Sequence, residues 1–284
     1  MPLDPRIEAN GEEPLPSIRK NIPRDHVLTL AALGILAHVS CDMLHELAGH
    51  GGVCIATGGR AVTFSTVHFQ CNGGWQPLIC AAGILFNVTA GIVLWMALRR
   101  LESTSVHTRC FLWLCMAFNL FTGAGYIITS SASNSGDLAN AFRDLPPGLH
   151  WRTAMFLIGI VFYYWSVRVT TTRMRSFIGA HEAVRIWRFI FIPYFAAALV
   201  ACAAAMLNSI LTGHQALLSA ISSTLGAWGF LLLPLFFRLG SGRGTPSASP
   251  VYVTRSLGWI ITAAAIAAVF IVAIGPGVRF AGRI

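Results

Sequence analysis

The stretch "VLTLAALGILAHVSCDMLHELAGH", Val27 to His50, begins as an unbroken apolar run and ends dense in ionisable side chains. A membrane-spanning helix needs about 20 mostly apolar residues, and Val27 to Leu47 meets that requirement with Asp42 and Glu46 inside it. A carboxylate at the centre of a span costs about 2.5–3.5 kcal/mol by insertion scales, so an acid kept there signals a functional site. The other Asp and Glu residues fall in the N-terminal tail or in loops. With His38, His45 and His50, the two acids form the one dense ionisable cluster in the apolar part of the chain.

The rest of the composition agrees with a membrane setting. Of 284 residues, 55% are hydrophobic and 11% charged, and the mean hydropathy is +0.65. A soluble domain carries about 25% charged residues, so this chain has too little charge to coat a water-facing surface of its size. The expected fold is an all-α polytopic membrane protein with about seven transmembrane helices. The spans expected after the first are Leu78–Leu98, Cys110–Thr129, Thr153–Val169, Trp187–Leu211, Leu217–Phe237 and Leu257–Gly275. Pro234 predicts a kink or early stop in the sixth. Residues 1–26 are polar and Pro-rich and read as a tail that buries no core. Residues 27–150 then form a membrane core of three spans and two outer loops, and residues 151–284 supply four further helices.

The net charge of +9 raises the question of a nucleic-acid partner. The basic residues stand singly or in small groups between apolar runs, where membrane topology places them, so the expected partner is the lipid bilayer and no nucleic acid. With the N-terminus on the cytoplasmic side, fifteen of the twenty Lys and Arg residues fall inside. Arg60, Arg143, Arg152, Arg279 and Arg283 fall outside. The bias predicts a cytoplasmic N-terminus and sets the cluster near the non-cytoplasmic face. Two loops, Gly51–Pro77 and Ser130–His150, share that face. The first contains "AVTFSTVHFQCNGG", bounded by glycine pairs, and reads as a short β-hairpin or re-entrant piece after the first helix. Cys54 and Cys71 flank it in an oxidising compartment, where a disulfide and two free thiols are the alternatives. The linker "GSGRGTPSASP" precedes the last span.

Helix geometry sorts the cluster. At about 100° per residue, His38, Asp42, His45 and Glu46 share one face, whereas His50 lies roughly 140° from His45. A zinc-protease helix spaces its two histidines four apart, as His-Glu-x-x-His, and here the separation is five. If both bind one metal, the helix must distort between Leu47 and His50. Either a π-turn absorbs the extra residue, or the helix stops at Gly49 and the glycine-rich backbone turns His50 back.

These residues resemble the site-2 protease family of intramembrane zinc metalloproteases. "HELAGH" is similar to that family's His-Glu-x-x-His with one residue inserted. "AAGILFNVTAG", Ala81 to Gly91, resembles its second-helix Gly-Pro-x-x-Asn signature, with Asn87 at the Asn position and Ile84 where proline is usual. "SNSGDLAN", Ser133 to Asn140, stands where the family's later aspartate ligand lies. The resemblance covers about the first 145 residues and implies a Zn²⁺ held by His45, His50 and Asp137, with one position open to water. Glu46 would take the proton from the attacking water, and Asn87 would contact substrate or the developing oxyanion. The implied partner is a membrane-protein substrate, cut in or near a transmembrane segment.

Around this set, Asp42 reads as a residue supporting the ligands rather than as a ligand, and His38 as a buried histidine orienting Asp42. His68, in the outer loop, is a fallback ligand. Two other function classes fit the same residues. One is a non-catalytic protease-like membrane protein (a pseudoprotease or chaperone), and the other is a metal-binding transporter. The retained Glu46 favours the enzyme. Ionisable residues confined to one span and one loop speak against a transporter, which typically spreads them over several spans.

Overall fold

A computed structural model of the chain describes residues 24–101, 104–144, 149–178, 183–239 and 251–280. Residues 1–23 of the expected tail and the linker at 240–250 lie outside the described residues. The first helix, α1 (Val27–Met43), is capped by His26, whose Nδ1 accepts the Thr29 N–H, and runs without a break into a π-helical segment, Leu44–Gly51. A short α2 (Gly52–Ala56) follows, then strands β1 (Arg60–Phe64) and β2 (Phe69–Asn72). Next come α3 (Gln76–Ala97), α4 (Val106–Ser133) and the one-turn α5 (Asp137–Ala141). The second half holds α6 (Leu149–Ile178), α7 (Ala183–Met206), α8 (Gly213–Gly226), α9 (Gly229–Leu239) and α10 (Leu257–Val269), which extends as π-helix to Ile274. A two-residue β3 (Val278–Arg279) closes the described chain.

Among the described residues, six helices are long and apolar enough to cross a membrane: Val27–Ala56, Gln76–Ala97, Val106–Ser133, His150–Arg175, Arg185–Met206 and Leu257–Ile274. Helix α4 is the central one. It packs on α1, α3, α6 and α8, and buries Trp113, Phe118 and Phe121 against Phe189 and Phe230. The outward faces carry Leu28, Val93, Val161, Leu199 and Val272, all exposed, as helices surrounded by lipid require. Close helix approach depends on missing side chains: a Cβ at Gly125 would overlap the backbone of Gly226, and one at Gly91 would overlap Leu120.

The structure departs from expectation in the second half. The sixth predicted span, Leu217–Phe237, is two helices, α8 and α9, separated at Ala227 and Trp228. Pro234 sits inside α9 rather than at the break. The interruption is held by tyrosine hydroxyls: Tyr163 donates to Gly226 O at 3.0 Å and accepts the Gly229 N–H at 2.5 Å, and Tyr194 donates to Thr224 O at 2.9 Å. These contacts satisfy backbone groups that the break would otherwise orphan.

The strands also form more than a hairpin. β1 and β2 pair antiparallel, with Arg60 opposite Asn72 and Phe64 opposite Phe69, and β3 adds to the other edge of β1. Cys54 and Cys71 are disulfide-bonded, tying β2 to α2. At the opposite end of the bundle, Arg185 grips Asp25 through two hydrogen bonds (2.6 and 3.0 Å), and Asp25 also accepts the Val253 N–H. The chain ahead of α1, the start of α7 and the approach to α10 are thereby joined.

Candidate metal centre

Of the two distortions open to the first helix, the structure takes the π-turn. Leu44–Gly51 is π-helical, and the Gly52 N–H reaches back to Leu47 O, five residues earlier. An i→i+5 helix stacks residues five apart above one another, so His45 and His50 fall on the same side with ring centroids 4.9 Å apart. The sequence permits this locally because Gly49 and Gly51 lack side chains. A Cβ on Gly49 would come within 2.8 Å of Gly83 Cα, so α3 can approach the widened turn closely.

Each imidazole is fixed by the nitrogen that faces away from the site. His45 Nδ1 donates to Asn87 Oδ1 at 2.9 Å, and His50 Nδ1 donates to the Ile79 carbonyl at 2.6 Å. Both Nε2 atoms then point at one carboxylate oxygen: Asp137 Oδ2 lies 3.1 Å from His45 Nε2 and 3.5 Å from His50 Nε2. Asp137 reaches them from α5, which starts after the left-handed Asn134 and Gly136 (φ 54° and 80°) and packs on α3 and α4. With each Nδ1–H committed to a carbonyl, neutral imidazoles present two Nε2 lone pairs to a carboxylate that also has only lone pairs. Three acceptors converge, and a cation between them satisfies all three.

Their spacing fits zinc. Ligand atoms about 2.0–2.1 Å from a tetrahedral Zn²⁺ stand about 3.3 Å apart, and the two Asp137 separations bracket that value. The two N–H···O bonds to Asn87 and Ile79 are the orienting contacts that metal-binding histidines commonly make. Glu46 joins them: one ligand atom each from His45, Glu46 and His50 lies within 4.8 Å of the others.

The remaining predicted residues are placed as follows. Asn87 is fully buried beneath His45, with its Nδ2 donating to Cys41 Sγ at 2.9 Å. Both ends of its amide are engaged, and its Oδ1 orients His45. His38 is buried against Phe118, and it makes no hydrogen bond to Asp42. His38 Nδ1 and Asp42 Oδ2 are both buried without partners and line a small space of about 20 Å³ behind Glu46. His68 faces the main cavity but stays outside the His-Glu-His group; burial pulls its pKa down.

That main cavity, about 650 Å³, opens over Glu46, His50 and Asp137. Much of its wall is polar: Gln76, Thr129, Ser130, Ser133, Asn140 and Gln215. Sequence reasoning did not find Tyr126, which lines both spaces and lays its ring on His45 with centroids 5.0 Å apart. A lone tyrosine in an apolar span carries no positional signal, although the small residues of "GAGY" just before it hint at close packing. It also did not find Gly83, whose missing side chain leaves the space that His45 Nε2 occupies. No protein-family profile, curated protein or solved structure matches this chain.

Proposed function

We propose that this protein is an intramembrane zinc metalloprotease of the site-2 protease type, hydrolysing a peptide bond in or near a transmembrane segment of another membrane protein. The observation that carries the reading is Asp137 Oδ2 set between two oriented Nε2 atoms at 3.1 and 3.5 Å. His45, His50 and Asp137 would hold the metal. When bound, Zn²⁺ supplies a Lewis acid that polarises the scissile carbonyl and makes water acidic enough to deprotonate near neutral pH.

The chain's own groups do the rest. Glu46, beside both histidines, takes a proton from the attacking water as its oxygen bonds to the carbonyl carbon. It then delivers that proton to the departing amine as the C–N bond breaks. Asn87 and the Ile79 carbonyl keep the imidazoles turned inward throughout. An unwound transmembrane segment exposes N–H and C=O groups that lipid cannot satisfy. The Ser, Thr, Asn and Gln side chains lining the cavity offer partners for them and for water.

Seven traversals and a non-cytoplasmic site belong to the same proposal. β3 pairs with β1, so the end of α10 shares a face with the loop that follows α1. Between these two points α3, α4, α6, α7 and α10 make five crossings, an odd number that would leave them on opposite faces. A sixth crossing, made jointly by α8 and α9, restores the parity. The bias of basic residues then supports a cytoplasmic N-terminus.

Metal content of the purified full chain tests the proposal. The wild type is expected to carry about one zinc, and His50→Ala and Asp137→Ala to lose it; full retention in both sinks the ligand set. Glu46→Gln is expected to keep zinc and stop cleavage of a model transmembrane substrate. Unchanged cleavage would end the protease mechanism.

A further inference from the structure

Among the described residues, the Tyr126 hydroxyl has no hydrogen-bond partner, although its ring packs on His45 and the side chain lines both cavities. The side chain is half-buried, and its hydroxyl is not one of the buried polar atoms that lack a partner, so it is left open to the cavity. Tyr163 and Tyr194, in this same bundle, each donate to a backbone carbonyl. Tyr126 stands out against them. It shares the walls of both spaces with Glu46, and the main cavity also holds His50 and Asp137. Asn87, the residue expected to meet the oxyanion, is buried with its Oδ1 on His45 and its Nδ2 on Cys41.

We infer that Tyr126 is the hydrogen-bond donor to the carbonyl oxygen of the scissile peptide, a role that rests on the protease reading. As water attacks, the C=O electron pair moves onto oxygen, and that oxygen gains negative charge. The Tyr126 O–H donates to it without transferring its proton; the proton balance stays between water, Glu46 and the amine. A neutral donor suits the place. It strengthens as charge develops, it brings no additional charge into the membrane, and its ring is already held against His45. Donors preorganised toward a developing oxyanion act most strongly in a water-poor site.

The test compares the full-length wild type with Tyr126→Phe, which keeps the ring and removes the donor. Cobalt-loaded protein in detergent is titrated with acetohydroxamate, an oxyanion ligand for the metal, and followed by visible absorption. Tyr126→Phe should bind Co²⁺ as the wild type does and bind acetohydroxamate about tenfold more weakly, the loss of one hydrogen bond to a charged group. On a model transmembrane substrate, kcat should fall about 10²-fold with KM within about twofold, the pattern of an oxyanion donor. An unchanged acetohydroxamate affinity, with cleavage still dependent on Glu46, overturns the donor and leaves the protease. Weakened acetohydroxamate binding, with Glu46→Gln cleaving at the wild-type rate, ends the protease reading and with it any role of Tyr126 at a scissile peptide, leaving only a donor to a metal-bound anion. Protein that takes up no Co²⁺ overturns both. Loss of Co²⁺ in Tyr126→Phe would make the residue a packing support for His45 and likewise overturn the inference.

Discussion

Gly83→Ala adds a single methyl group where the structure leaves it no room. The new Cβ would stand 2.5 Å from His45 Nε2 and 2.7 Å from Cδ2 and Cε1 of the same ring. Carbon contacts are comfortable at about 3.5–4.0 Å, so the imidazole must retreat by about 1 Å. It has nowhere to go without loss: Asn87 holds its Nδ1 at 2.9 Å and the tilted Tyr126 ring packs against it. The Nε2–Asp137 distance, now 3.1 Å, would leave the range that a shared zinc allows. Overpacking of this kind costs about 1–3 kcal/mol in stability, and a misplaced ligand lowers metal affinity by about 10–100-fold. Chelator competition on purified protein measures the second effect, and thermal unfolding the first. Gly91→Ala is the control, since its Cβ would overlap Leu120 at 2.6 Å on the same helix, away from the cluster. Gly91→Ala should lose stability with zinc affinity intact, whereas Gly83→Ala should lose both. Equal zinc affinities in the two variants would refute the claim that Gly83 exists to admit His45.

Three further outcomes follow from contacts outside the cluster. Tyr163→Phe leaves the Gly226 carbonyl and the Gly229 N–H without their shared partner; at about 1–3 kcal/mol for each orphaned group, it should lower the unfolding midpoint and speed proteolysis between α8 and α9. Asp25→Ala removes the carboxylate paired with Arg185, whose side chain is 7% exposed and whose charge is then left to backbone carbonyls and the Tyr252 ring. Breaking such a pair from one side costs about 3–5 kcal/mol, and the double variant Asp25→Ala, Arg185→Met should recover part of the loss in the same unfolding assay. Replacing Cys54 and Cys71 by serine frees a hairpin joined by a bridge of sequence separation 17. The expected loss is about 3 kcal/mol, with faster cleavage at Val67 to Gln70 in limited proteolysis and no loss at the Asp25 end.

Much of the site was legible in the sequence because it rests on local spacing. Asp42, His45 and Glu46 share a face by helix periodicity alone, and the five-residue interval requires a distortion if His45 and His50 are to meet one metal. Gly49 marked where it would fall. Asp137 was harder, since it lies 92 residues from His45 and depends on α5 docking across α3 and α4. Asn87 was singled out by its place in the second span, but its burial under His45 and its bond to Nδ1 depend on how α3 docks against the first helix. No local pattern announced Tyr126 or Gly83, because what matters is the ring or backbone that faces them.

The amino-acid order by itself determined a mostly helical chain with long apolar helices and the concentration of charge at the end of α1, since hydropathy and periodicity are properties of neighbours along the chain. The tertiary structure decided which of two distortions the helix took, how α8 and α9 are pinned at their break, that a C-terminal strand completes the sheet, and how the two imidazoles are aimed at one carboxylate oxygen. Those outcomes depend on the close approach of segments far apart in sequence, where a missing Cβ at Gly83 or a buried amide at Asn87 sets ring positions to within about an ångström.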